Sequence, residues 1–389
     1  MQLSTFHVGI VGGAIGGASA ALLLARAGAR VTLLEKVGDP RGVGAGIALA
    51  ENGIAVLDAL GFGPALARIG APVDGVRITD AAGRTLFVPR GDAPDAPPRV
   101  LMARRSDVYG MLNLALSTEP GITTHYGSEV TGAWADGRVQ VQRGTAQETA
   151  HFDLVVGADG VHSRVRDARA FGASVHDAGI AYARGLASAG RARSEEAWTP
   201  AGLFGSFPVP DGTYWYASLG AAEVKRALAT RDLAAFIAAW TAAYPPAAGV
   251  LGSVTRFDDV LVNQVVEVRC TRFHHERLVL LGDAAHAMAP NLGQGANSAL
   301  VDAAVLRDCL QSADSLQTAL AAYDARRRPK VAKVARTAAR LGRLAELTGP
   351  LARTVRDRLL MPLAGRGDPR AINRTVWQEP PELLRQIAS

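Results

Sequence analysis

Residues 9–36 read GIVGGAIGGASAALLLARAGARVTLLEK, a run of small residues that ends on a carboxylate and a lysine. Gly12 suits a tight turn, and Gly17 would let a helix approach a strand closely. Ile15 and Gly16 would open that helix, where free N–H groups attract a pyrophosphate. Glu35 stands about twenty residues further on, where a carboxylate can accept hydrogen bonds from a ribose, with Lys36 beside it. Ala14 takes the place where the glycine pattern asks for its second glycine; its methyl narrows the approach to a phosphate but removes no donor. NAD and FAD use this arrangement alike, and a buried β-α-β unit without a ligand would share much of it.

Two later segments carry further chemistry. In DLVVGADGVHSRVR, residues 153–166, a short apolar strand runs into a turn that presents Asp159. In RLVLLGDAAHAMAPNLGQGANSALVDAAVL, residues 277–306, a strand ends at Gly282-Asp283 and a loop runs from Pro290 to Gly295. A helix then begins near Ala296. Asp159 and Asp283 suit ligand contacts, and equally suit capping of their turns. Gly293 and Gly295 would allow a close backbone approach just before the helix N-terminus.

The elements that must position these residues follow from the local pattern. Residues 7–11 and 30–34 read as strands flanking a helix over 15–27, with Gly28 at its C-terminal cap. GLFGSFPVPDGTYWYASLG, residues 202–220, reads as two strands about the turn Pro210-Asp211-Gly212. Alternation puts Tyr214 and Tyr216 on one face and Trp215 on the other, for substrate contact or for sheet packing. One or two covering helices follow over 221–244. GVGAGI at 42–47 follows no strand, so no second dinucleotide fold is expected.

The chain has 389 residues, 42 Lys+Arg against 36 Asp+Glu, and a net charge of +6. Its basic residues concentrate only in 324–343, which reads as the solvated face of a helix, and no aromatic–lysine interleaving suggests a nucleic-acid partner. Cys270 and Cys309 lack metal or disulfide spacing, so no metal is expected and a reducing, cytoplasmic setting fits. The apolar run 8–25 is broken by glycines and has no basic residue before it apart from a histidine, which argues against a signal or membrane segment.

The three motifs, in this order, resemble those of the FAD-dependent aromatic hydroxylases, the family of p-hydroxybenzoate and salicylate hydroxylases. Smaller echoes agree: GAGIAL at 44–49 with Asn52, RRSDVYGML at 104–112 and YDARRRP at 323–329. The resemblance implies an α/β chain with a Rossmann-like FAD-binding domain (1–70, 101–172 and 269–345) and an interleaved β-sheet substrate domain (71–100 and 173–268). A helical tail, 346–389, would follow. FAD would be held by Gly12, Ala14, Ile15, Gly16, Gly17, Glu35, Lys36, Gly46, Arg105, Asp159, Asp283, Gly293, Gly295, Ala296 and Asn297. Pro290 and Asn297 would line the catalytic side, and a carboxylate at 297 would act on flavin reduction more than on folding. His286 would be a structural hydrogen-bonder.

The implied activity is NAD(P)H-consuming monooxygenation of a small aromatic or electron-rich compound, with O2 activated at the flavin C4a carbon. NADPH or NADH would visit transiently, and the protein would be a monomer or homodimer without membrane or nucleic-acid partners. A two-electron flavin oxidase or reductase, or a non-catalytic flavin-dependent binder, would share the fold. A flavin halogenase would carry a WxWxIP motif, and none of the five tryptophans lies in one.

Overall fold

A computed structural model describes residues 2–39, 45–73, 75–87, 100–168, 170–188, 193–347, 349–361 and 375–389. The Pro-rich stretch 91–99 and the first half of GVGAGI lie outside them. A six-stranded sheet is built around strand His7–Val11, which pairs in parallel with Arg30–Leu34 on one side and Leu154–Gly157 on the other. Ile122–His125 and Leu278–Leu280 extend it in parallel, and His274–His275 closes one edge antiparallel. The central strands, 7–11, 154–157 and 278–280, are near-continuous apolar runs because helices cover a parallel sheet on its faces. Helix Ile15–Arg26 is buried almost all round, hence its Ala/Leu composition without a polar stripe. It packs between this sheet and the helices Arg105–Thr118 and Gly295–Ser312.

A second sheet has seven strands in the order Leu261–Arg269, Ser174–Ala187, Gly212–Ser218, Gly202–Val209, Glu195–Thr199, Arg77–Asp80 and Thr85–Phe87. The alternation read from the sequence places its aromatics correctly. Trp215 is fully buried on one face, near Phe236 of helix Leu233–Ala243, while Tyr214 and Tyr216 belong to the opposite face. Two helices, Ala222–Ala229 and Leu233–Ala243, cover the Trp215 face. A small sheet of Gly46–Leu49, Val100–Arg104 and Gly70–Val73 stands beside the other face. A three-stranded antiparallel sheet over 129–151 was not anticipated.

The basic segment 324–343 lies within one long helix, Leu316–Ala345, and its reading as a solvated face needs a correction. Arg327 is fully buried and pairs with the buried Asp302 at 2.6 Å. A charge so placed is stable only with such a partner. The C-terminal helix Pro381–Ala388 packs on the Rossmann-like part, burying Leu384 and Ile387, while Arg307 donates to the carbonyls of Ile387 and Ser389. Among the described residues, no helix is long and apolar enough to cross a membrane and no cluster of metal-ligating side chains occurs.

Candidate functional site

Gly12 follows the first strand with φ +97°, a left-handed conformation that favours glycine. A β-carbon there would lie 2.5 Å from the Ala158 carbonyl oxygen, and one on Gly17 would lie 1.9 Å from the Gly12 carbonyl. A β-carbon on Gly16 would meet Ala299 and Leu281 at 2.9 Å, so the helix Ile15–Arg26 also touches the later motif closely. Within the turn, Ala14 is the exposed residue, and it caps the helix without a side-chain oxygen. Glu35 is buried, and its two oxygens accept from the Gly13 N–H at 2.7 Å and the Val37 N–H at 2.8 Å. It therefore ties the glycine loop to the end of the second strand. Lys36, beside it, is exposed.

Asp159 caps its own turn. One carboxylate oxygen accepts from the Arg164 and Val165 amides at 2.7 and 3.3 Å. Burial raises its pKa, against those bonds and one from Ser163. The backbone of this turn, rather than the carboxylate, lies against Gly12.

The third motif is held from behind. Asp302 accepts from the Gly282 N–H at 2.9 Å, contacts His286 Nε2 at 2.6 Å and accepts from Arg327 Nε at 2.6 Å. Burial would raise the Asp302 pKa, but His286 and Arg327 outweigh it and hold it at about 2. His286 is thus a structural partner, as expected. The network orients the Gly282-Asp283 corner and leaves Asp283 exposed toward Gly295, whose β-carbon would lie 3.9 Å from Asp283 Oδ1. Pro290 is exposed and opens a single turn, Pro290–Leu292; Gly293 follows at φ +61°. The helix begins at Gly295, with Ala296 half-buried in its first turn.

The Asn297 side chain turns into the scaffold. It is fully buried; its Nδ2 donates to the Ala48 and Gly293 carbonyls at 2.9 and 2.8 Å, and its Oδ1 accepts from Ala50 at 2.9 Å. Both N–H groups are used inside the scaffold, so the side chain is a clamp between the loop and the strand Gly46–Leu49.

Desolvation by the surrounding protein and the Arg184 charge lower the Arg105 pKa, while Asp283 draws it back up. Arg105 therefore lies within electrostatic reach of both Arg184 and Asp283. Sequence reasoning missed Arg184, which projects from strand Ser174–Ala187, donates to Asn263 Oδ1 at 2.7 and 2.9 Å and bonds Tyr214. Tyr214 lies over Gly46, joining the second sheet to the Rossmann-like part. Tyr216 stacks on Phe207 and meets Tyr182 edge-on at 6.3 Å. Tyr182 in turn accepts from Asn291, next to Pro290, at 3.4 Å. The aromatic face thus stands against the loop 290–295.

A β-α-β unit with a tight glycine turn, two ordered acidic turns and a second sheet over the loop define a flavin-dependent oxidoreductase built on a Rossmann-like fold. The FAD binding domain family matches residues 5–338. Aurachin C monooxygenase/isomerase of Stigmatella aurantiaca is 30% identical over 369 residues, covering 90% of this chain and 92% of its own. A 2-heptyl-3-hydroxy-4(1H)-quinolone synthase of Mycobacteroides abscessus is 29% identical, covering 90% and 94%. In fold, the chain is similar to Klebsiella pneumoniae HpxO solved with FAD and uric acid (TM-score 0.79, 22% identity, 97% and 98% covered). The chain belongs to the FAD-dependent aromatic hydroxylase family: it is an enzyme of monooxygenase type with FAD as its cofactor.

Proposed function

We propose that this protein hydroxylates a small, electron-rich aromatic compound, with NADH or NADPH as transient reductant and O2 as co-substrate. The observation that carries this reading is the aromatic face of Tyr182, Phe207, Tyr214 and Tyr216 set against the loop 290–295. Flat, apolar rings with polar edges suit an aromatic ligand. The quinolone synthase, by its name, makes a hydroxylated fused nitrogen heterocycle, a class that such a face also fits.

The cradle fits FAD. The turn 12–17 and its helix N-terminus would take the pyrophosphate, Glu35 the adenosine ribose and Asp283 the ribityl chain. Gly293, Gly295 and Ala296 would border the ring system. Bound there, the flavin supplies two-electron redox chemistry and activation of O2. The chain's own part is electrostatic and steric. Arg105, Arg184 and the N-terminus of helix Gly295–Ser312 hold positive potential against anionic groups. The second sheet excludes water from the cleft, and Asn297 positions the Gly-rich loop.

The test is isotopic. Phenols and quinolones are screened for faster NAD(P)H oxidation, and the stimulating compound is turned over under labelled O2. One labelled atom should enter the product and the other water. Turnover of substrate with all label recovered as hydrogen peroxide would make the protein an oxidase on this scaffold.

A further inference from the structure

One row of the seven-stranded sheet carries charge at both ends. Register pairs Arg184 with Tyr216, Tyr216 with Gly205, and Gly205 with Glu196. Directly paired residues share a face, so Arg184, Tyr216 and Glu196 all project toward the side that meets the loop 290–295. Gly205 has no side chain, and this shapes the row. A β-carbon there would lie 2.3 Å from Tyr216 Cζ, so the Tyr216 ring lies flat across Gly205. Its hydroxyl then reaches two strands over and donates to Glu196 Oε2 at 2.5 Å. Trp198 Nε1 donates to the other oxygen, Oε1, at 2.6 Å. The carboxylate is fixed from two sides, with each oxygen keeping a lone pair in hand.

Glu196 is half-buried. Burial raises its pKa, against the bonds from Trp198 and Tyr216. Glu346, hydrogen-bonded to Ser218, adds to the negative field, since both glutamates raise the pKa of Tyr182 after burial has done so. The aromatic face therefore ends in a cation beside Asp283 and Arg105, and at its other end in an oriented acceptor.

The geometry points to Glu196, held by Tyr216 and Trp198, as the specificity-determining group of the substrate site. It would select aromatic compounds that offer a hydrogen-bond donor, a ring N–H or a phenolic O–H, over isosteres that offer none and over carboxylates. A donor on the substrate meets a charged acceptor whose geometry is already set. An ether leaves that acceptor without a partner, and a carboxylate meets like charge in a poorly solvated place. This inference rests on the monooxygenase reading, because it takes the aromatic face as the substrate's.

The experiment uses the FAD-loaded enzyme and three probes on one skeleton: 4-hydroxyquinoline, 4-methoxyquinoline and quinoline-4-carboxylate. Each is titrated against the flavin absorbance spectrum in wild type, Glu196→Gln and Glu196→Leu. Flavin content and melting temperature are recorded for all three proteins. In wild type, 4-hydroxyquinoline should bind about tenfold or more tightly than its methyl ether, the range of a hydrogen bond to a charged group. That ratio should fall toward one in Glu196→Leu and to an intermediate value in Glu196→Gln, and the carboxylate probe should gain affinity in both. A merely structural Glu196 would weaken all probes in proportion and leave the ratio intact. The inference is overturned if wild type binds the hydroxy probe no better than the ether, or if the ratio survives in both variants. Failure of the monooxygenase reading looks different: FAD-loaded protein that discriminates the probes yet incorporates no label from O2.

Discussion

Tyr214 lies across Gly46 so closely that a β-carbon on Gly46 would fall 2.3 Å from the ring's Cγ. Gly46 belongs to the small sheet beside the Rossmann-like part, and Tyr214 to the sheet proposed to cover the substrate. The two layers touch here without an intervening side chain. Gly46→Ala should therefore cost about 1–3 kcal/mol of stability, the range for overpacking a filled contact. Tyr214→Ala removes the obstructing ring, so the double variant should lose less than the sum of the single losses. Urea unfolding of the four proteins measures this; strict additivity would show that the contact carries no strain.

The Asp302 network gives a prediction with a pH sign. Asp302 sits at about 2 in the fold against a reference of 3.8, so the unfolded chain binds more protons across that interval. Its contribution to stability is complete above about pH 4 and is lost as pH falls toward 2. Asp302→Asn removes that contribution at every pH and leaves Arg327 buried beside a neutral group, a loss of about 3–5 kcal/mol near neutrality. The gap between wild type and variant should narrow as the pH is lowered from 4. A gap that stays constant would show that Asp302 is not ionised in the fold.

What the sequence made legible was local. Strand, turn and helix over 7–34 lie within one continuous segment, so composition and spacing specify them together. The faces of Tyr214 and Trp215 followed from period-two alternation alone. The partners that give the site its electrostatics were not legible, because they come from distant segments. Arg184 meets Tyr216 through sheet register, and Glu196 meets it across a strand whose glycine leaves the space. Arg327 looked like one more exposed arginine because Asp302 lies 25 residues earlier, on another helix. Asn297 is assigned to the cofactor by the family resemblance alone, and its side-chain partners Ala48 and Ala50, 249 and 247 positions away, could not be read from the local sequence.

Glu35 and Ala14 should respond differently to substitution. Glu35 anchors Gly13 and Val37, so Glu35→Ala should weaken FAD by about 1.5–3 kcal/mol through loss of charge-assisted bonds that order the loop. Ala14 is exposed, so Ala14→Gly should keep FAD affinity within about 1 kcal/mol of wild type. Fluorescence titration of apoprotein with FAD reads both. Unchanged affinity in Glu35→Ala would remove the carboxylate from the cofactor site.

Asn297→Asp tests whether position 297 meets the cofactor or braces the scaffold. The asparagine Nδ2 donates to the carbonyls of Ala48 and Gly293, and Oδ1 accepts from the Ala50 amide. An aspartate keeps the acceptor but turns a second oxygen toward two carbonyl oxygens in a fully buried place. Two hydrogen bonds become repulsive contacts at this buried site. The variant should therefore lose roughly 2–5 kcal/mol of stability even without cofactor, combining lost bonds with a buried unpaired charge. Asn297→Ala leaves the same carbonyls unpaired without adding charge, and should lose less. Apoprotein unfolding in urea, compared with the rate of flavin reduction by NAD(P)H in whatever holoenzyme forms, separates the two roles. A variant as stable as wild type but slow to be reduced would place Asn297 at the flavin after all, and would mean that the clamp between residues 48–50 and Gly293 contributes little to the fold.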